Sequence, residues 1–265
     1  MNARSLTRRL AGIGAVVLLV PTSASAADLQ VMISAGFYGV YAELAERFER
    51  ATGHRLITTR GPSMGDSPEA IPARLARGEA ADVVIMSGSA ADVLSIGGLV
   101  RAGSKVDLAL SQIGMVVPSG VAPPDISTVE AFRRTLLAAD SIGHSDSASG
   151  TYLSTVLFAQ LGIEDQVAGK SRSVRGPPSG EPVAAVVARG EVAIGFQQVS
   201  ELIHVPGVTF VGAIPTELQL DTTFAGAITT AAQQPDAALA LLRFLSSPEW
   251  DPMLVEAGLT PPERR

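Results

Sequence analysis

The chain has 265 residues, 46% of them hydrophobic and 17% charged, with three histidines, no cysteine and a formal net charge of −6. The absence of cysteine excludes disulfides, thiolate metal sites and a cysteine nucleophile. The acidic balance argues against nucleic acid as a partner, because phosphate contacts by lysine and arginine supply most of that affinity.

Residues 1–26 read as a cleaved export signal: Arg4, Arg8 and Arg9 precede an apolar run, Leu10 to Val20, and then Ala24-Ser25-Ala26. The run is too short for a comfortable membrane span, and no second run reaches about 18 residues. The mature chain is therefore expected in the periplasm and not inserted in the membrane. Removing the three arginines takes its formal charge from −6 to −9. What remains is long enough for one large domain or two lobes, each with its own core.

Strand and helix periods alternate along the mature chain. Gln30 to Ser34 alternates like a strand, Ala35 to Tyr38 reads as a small-residue turn, and Val40, Leu44, Ala45 and Phe48 mark one face of a helix over 39–51. Further helices are predicted over 68–78, 89–97, 127–138, 150–161, 182–189 and 235–246. Strands are predicted at Arg55 to Thr59, Asp82 to Met86, Ile113 to Val117, Ser141 to Gly143, Val192 to Phe196 and Thr209 to Val211. That alternation predicts parallel sheets with helices on their faces, and ligands beyond the carboxyl ends of the strands. Trp250, beside a C-terminal helix, reads as a packing residue.

Four strand-to-helix junctions carry the polar chemistry. The first holds Gly36, Phe37 and Tyr38, where free backbone N–H groups at a helix start suit an anion. The second runs from Arg60 through Ser63 and Ser67, and the third from His144 through Ser149, Gly150, Thr151 and Tyr152. The fourth runs from Arg175 through Gly180 to Glu181, and Ser87 ends the strand over Asp82 to Met86. Hydroxyls and glycines at one helix start serve equally well as caps; four such junctions together favour a binding cleft. His54, His144 and His204 show no ligand pair at helical spacing, so no metal is expected, and no cofactor either. Ser87-Gly88-Ser89 lacks the closing glycine of a nucleophile elbow.

The order of several segments resembles the periplasmic molybdate-binding protein family. They are Ala35-Gly36-Phe37 with its helix through Gly53, Ala73 to Ile85, Ile113 to Pro118, Ser149 to Tyr152 followed by Gln160-Leu161-Gly162, Val186 to Phe196, and Phe244 through Gly258. The resemblance covers essentially the whole mature chain. It implies an α/β, two-lobed type 2 periplasmic binding protein, each lobe a sheet flanked by helices. The chain would cross between lobes near Ser111-Gln112 and near Gln219 to Thr223, so that residues 27–110 plus 219–265 form one lobe and 111–218 the other. It also implies closure over a small anion, a monomeric state, and service to an ABC-type membrane permease.

Molybdate receptors of this family hold the oxyanion with serine hydroxyls, backbone amides and a tyrosine. Here the first serine position reads Gly36, the second falls in an expanded loop from Ser63 to Glu69, and the tyrosine position reads Gln198. Arg60 and Arg175 instead suit a carboxylate, which a guanidinium meets with paired hydrogen bonds; either arginine could also serve a surface ion pair. The chain is similar, within the same fold, to aconitate isomerase, which resembles the molybdate-binding proteins. Interconverting trans- and cis-aconitate needs cations for three carboxylates and a group that moves an allylic proton, and Arg60, Arg175, His144 and Glu181 are chemically sufficient. Three readings follow in order: a receptor for a di- or tricarboxylate, an aconitate isomerase, and a molybdate or tungstate receptor.

Overall fold

The computed structural model describes residues 26–65 and 67–264. The export-signal residues up to Ser25, and Asp66, lie outside the described residues. In chain order the elements of the first half are β1 (Asp28–Ile33), α1 (Ala35–Thr52), β2 (Arg55–Arg60), α2 (Ile71–Ala76), β3 (Val83–Ser87), α3 (Gly88–Ile96) and β4 (Val106–Ser111). Then come β5 (Ile113–Pro118), α4 (Val129–Ala138), β6 (Ile142–Ser145), α5 (Ala148–Tyr152), α6 (Phe158–Gln160), α7 (Glu164–Val167), β7 (Ser171–Val174), α8 (Val183–Ala188) and β8 (Ile194–Gln198). The chain ends with β9 (Val208–Ala213), β10 (Thr222–Ile228), α9 (Pro235–Leu245) and α10 (Asp251–Glu256).

These strands form two five-stranded sheets, in the orders β2-β1-β3-β10-β4 and β7-β6-β8-β5-β9. The chain leaves the first sheet at Ser111, enters the second at Ile113, leaves it at Ala213 and rejoins the first at Thr222. The molecule is thus a two-lobed α/β protein. Purely parallel sheets do not form. β1 runs parallel to β2 and β3, but β10 is antiparallel to both β3 and β4. In the second sheet β6 is parallel to β7 and β8, while β5 is antiparallel to β8 and β9.

Three strands, β4, β7 and β10, are not revealed by sequence patterning, and the antiparallel pairs of the first sheet all involve β10; in the second sheet the antiparallel pairs join predicted strands. β7 is only four residues long and lies at a sheet edge, so it needs little apolar alternation. β10 is central, yet Gly226 stands where a side chain would collide with Leu242 of α9, and Ala225 and Ala227 flank it. Small residues let α9 lie close to the sheet and erase the strand signature.

Both faces of each sheet are covered, which explains the continuous apolar strands. Leu29, Val31 and Ile33 of β1 pack with Phe37, Leu44 and Phe48 of α1 and with Leu241 and Leu242 of α9. The alternate residue Met32 faces Ile71 and Leu94 on the other side. In the second lobe Met115 and Val117 meet Phe132, Leu157 and Phe196, whereas Val116 meets Val183 and Val187 of α8. Each fully buried Leu, Val or Phe contributes about 1.5–3 kcal/mol. Trp250 packs against Phe244, donates its indole N–H to the Phe244 carbonyl at 2.7 Å, and lies beneath Arg47.

α1 begins at Ala35, so the segment read as a turn is its first helical turn. Gly36 is small because the Phe224 ring of β10 occupies the space a Cβ would take. The helix stops at Gly53, whose left-handed backbone (φ 75°) lets its N–H reach the Glu49 carbonyl at 2.8 Å.

Candidate functional site

A cleft between the two sheets gathers residues from the strand ends of both. The first lobe supplies Ser34 beyond β1, Arg60 closing β2, Ser87 closing β3 and Thr222 opening the antiparallel β10. The second supplies Ser145 and Asp146 from the end of β6, Gln197 and Gln198 from the end of β8, and Glu201 from the 3-10 turn Val199–Glu201. The walls touch where Ser200 donates to the Gly36 carbonyl at 2.7 Å and Gln198 Nε2 donates to Thr222 Oγ1 at 2.9 Å. At the rim, Arg175 Nη2 reaches Ser67 Oγ at 3.4 Å and Ser179 Oγ donates to Glu69 at 2.5 Å.

Buried polar groups are normally paired, and leaving one unpaired costs about 1–3 kcal/mol. Six buried side-chain polar atoms among the described residues have no partner, and four of them, Ser34 Oγ, Arg60 Nε, Ser87 Oγ and Gln198 Oε1, belong to cleft-lining residues. That concentration marks the cleft as a place built to pair with something else. Ser34 precedes α1 but makes no cap bond with its side chain, so its hydroxyl stays free. The Arg60 guanidinium lies 4.1 Å from the centroid of the Tyr38 ring, and it forms no ion pair among the described residues. Tyr38 thus holds the arginine by its aromatic face and leaves the fork open.

Glu201 is the unusual acid of the cleft. Val183 N–H donates to Gln197 Oε1 at 3.1 Å, which fixes the amide so that Gln197 Nε2 donates to Glu201 Oε1 at 2.6 Å. Desolvation pushes the Glu201 carboxyl up to about 8; Arg60 and the Gln197 bond pull it down by less, and Asp146 adds to the rise. Asp146 Oδ1 accepts the Gly176 N–H at 3.1 Å.

The structure brings Gly36, Arg60, Ser63, Ser87, Ser149 and Gln198 into the cleft wall. Ser63 Oγ accepts the Ser87 N–H at 3.0 Å. Gly150 N–H donates to Ser145 Oγ at 3.2 Å, and a Cβ on Gly150 would strike the Ser145 carbonyl. Phe37 is buried in the core beneath the cleft. Thr151 and Tyr152 line an adjoining groove, and the Tyr152 hydroxyl donates to the Leu218 carbonyl at 3.0 Å.

The other sequence candidates stand apart. Arg175 and Gly180 are exposed on the rim loop. His144 is buried behind the lining, its Nδ1 3.1 Å from the Ser145 carbonyl, and burial depresses its protonation. Glu181 is gripped by both Arg189 Nη atoms, at 2.7 and 2.5 Å, which holds its carboxyl below the usual range. Sequence reasoning marked the junction that holds Ser145 and Asp146 without singling them out, and it missed Ser34, Gln197, Glu201 and Thr222. The strand-end position of Ser34 and Gln197 is a usable signal; Glu201 has none.

Residues 29–260 match the family of bacterial extracellular solute-binding proteins. The chain belongs to that family. Within it, the chain is 47% identical over 233 residues to an aconitate isomerase of Pseudomonas sp., covering 88% of this chain and 87% of that protein. A molybdate-binding protein of Azotobacter vinelandii is 26% identical over 250 residues, covering 92% and 94% respectively. The solved structure of the Azotobacter vinelandii periplasmic molybdate-binding protein superposes with a TM-score of 0.70 at 19% identity, covering 89% of this chain and 100% of that one. The two lobes and the cleft are thus those of a solute-binding protein. Among the described residues of this solute-binding protein no helix is long and apolar enough to cross a membrane, and no cluster of His, Cys, Asp and Glu is placed to hold a metal.

Proposed function

We propose that this solute-binding protein is an exported, periplasmic isomerase that interconverts trans- and cis-aconitate. The reading is carried by the 47% identity to the Pseudomonas aconitate isomerase over 88% of the chain. The cleft supports it. Arg60, held on Tyr38 with its Nε unpaired, suits a carboxylate through two parallel charged hydrogen bonds. The Ser34 and Ser87 hydroxyls are neutral donors for the remaining carboxylate oxygens. A molybdate site is satisfied by neutral donors alone; a guanidinium with an open planar fork fits planar carboxylates better.

The reaction is a proton shift along an allyl unit. A proton leaves the methylene carbon, its electron pair spreads over the three carbons and the adjoining carboxylates, and a proton is delivered to the former vinyl carbon. Arg60, half-buried in the cleft wall, is the group that would stabilise that delocalised charge, because a cation already held in position needs no reorganisation as charge develops. No cofactor is required by this chemistry. The second reading, a carboxylate receptor serving an ABC-type permease, is favoured by the family itself.

Proton NMR of trans-aconitate incubated with the purified mature protein separates the two. Appearance of the cis-aconitate vinyl signal is the expected result. Broadening of the substrate signals without conversion overturns the isomerase in favour of the receptor, and protection of the protein by molybdate alone returns it to oxyanion binding.

A further inference from the structure

Resting on the isomerase reading, we propose that Glu201 is the catalytic residue that carries the proton, and that Gln197 is the positioning residue that decides which of its carboxyl oxygens does so. Among the described residues, the ionisable groups lining the cleft are Arg60, Asp146 and Glu201. An arginine does not give up its proton at working pH. Asp146 is tied to the rim loop through the Gly176 N–H, whereas Glu201 is held by a side-chain amide of the cleft wall itself. Glu201 stands one residue beyond Ser200, the hydroxyl that ties the second lobe to the Gly36 carbonyl of the first. Its carboxyl is therefore brought to the substrate by the same turn that joins the lobes.

The orientation is set by a two-step relay of hydrogen bonds. The Val183 N–H at the start of α8 takes the carbonyl oxygen of the Gln197 amide, so the amide nitrogen faces Glu201 Oε1. Glu201 Oε2 receives no hydrogen bond among the described residues, and that oxygen exchanges the proton. In the step, the methylene C–H bond breaks and its proton passes to Oε2. The electron pair enters the allyl system and the double bond re-forms one carbon along. Oε2 then returns the proton to the other end of the allyl unit, leaving the carboxylate as it began. No oxidant, metal or second reactant is needed. The charged groups facing Glu201 are Arg60, which favours its ionised form, and Asp146, which opposes it; burial dominates both and places its titration at about 8, near the working pH of a general base.

The test uses the mature protein, with conversion of trans-aconitate and exchange of its methylene protons in D2O both followed by NMR. Glu201→Gln, nearly isosteric, is expected to lose about 10³-fold in both rates while still broadening the substrate signals. In the unmodified protein kcat/KM rises with pH through about 8. Gln197→Leu removes a bond that favours the ionised form, so the rising limb moves to higher pH, a displacement that a packing defect would not produce. A wild-type protein that leaves trans-aconitate unchanged refutes the isomerase reading and this proposal with it. Wild-type turnover with Glu201→Gln equally active, or turnover lost instead in Asp146→Asn, refutes the proposal alone. If Glu201→Gln does not fold, Glu201→Asp serves, and unchanged exchange in that variant is equally fatal.

Discussion

Two glutamates of the second lobe, Glu181 and Glu201, follow strands of the same sheet and meet opposite fates. Glu181, at the start of α8 after the β7 loop, is half-exposed, and its two oxygens are held by the fork of Arg189 at 2.5 and 2.7 Å. The Arg189 hydrogen bonds hold its carboxyl below the ordinary range. Glu201, after β8, has a single amide donor and faces Arg60 in the cleft wall, where desolvation outweighs both and lifts the carboxyl to about 8. A carboxylate already satisfied by a bidentate cation is a poor proton acceptor. One that is desolvated with an oxygen left free is suited to exchange a proton near neutrality. The side chain is the same; the difference lies in which cation is within reach and whether its fork is spent.

The two glutamates should differ most in turnover. Glu201→Gln is expected to abolish conversion by about 10³-fold, whereas Glu181→Gln leaves it within about twofold, since exposed ion pairs are worth about 1 kcal/mol or less. Equal losses in the two variants, measured as initial rates by NMR, would erase the distinction. The two arginines give the next contrast. Arg60→Ala removes a charged hydrogen-bonding group from inside the cleft and should cost about 10- to 150-fold in kcat/KM, the equivalent of 1.5–3 kcal/mol. Arg175 is exposed and its one long contact is to Ser67, so Arg175→Ala should cost only a few fold. A larger loss for Arg175 than for Arg60 would place substrate at the rim and not in the cleft.

The sequence carries the fold further than it carries the chemistry. Val40, Leu44 and Phe48 reveal α1 because one helical face is buried against one sheet, and Val83 to Met86 reveal β3 because both of its faces are covered. The same physics hides β10: α9 presses so closely on Gly226 that the strand must be built from small residues, and with it the antiparallel pairing of the first sheet disappears from view. Arg60, Ser87 and Gln198 stand where a strand period stops, so a rule placing ligands at strand ends finds their positions. Glu201 lies three residues past such an end, in a 3-10 turn with no period of its own. Its neighbours Arg60 and Asp146 are far away in the chain, and only the folded lobes bring the three together.

The two glutamates also contribute to stability with opposite signs. A glutamate titrates near 4.5 when the chain is unfolded, and in the folded protein Glu201 holds its proton up to about 8. Between those values the native state binds more protons than the unfolded state, so this residue makes the protein less stable as pH rises from about 4.5 to about 8. Glu181, lowered by Arg189, adds stability that is complete above the unfolded value and is lost only as pH falls through its folded value. Thermal unfolding of the two glutamine variants between pH 5 and pH 9 therefore separates them. The melting temperature of Glu201→Gln should gain steadily on the wild type as pH rises. That of Glu181→Gln should keep a small constant offset across the same window. A flat difference for Glu201→Gln would mean that its carboxyl is already ionised at pH 5, and the contrast between the two junctions would lose its electrostatic basis.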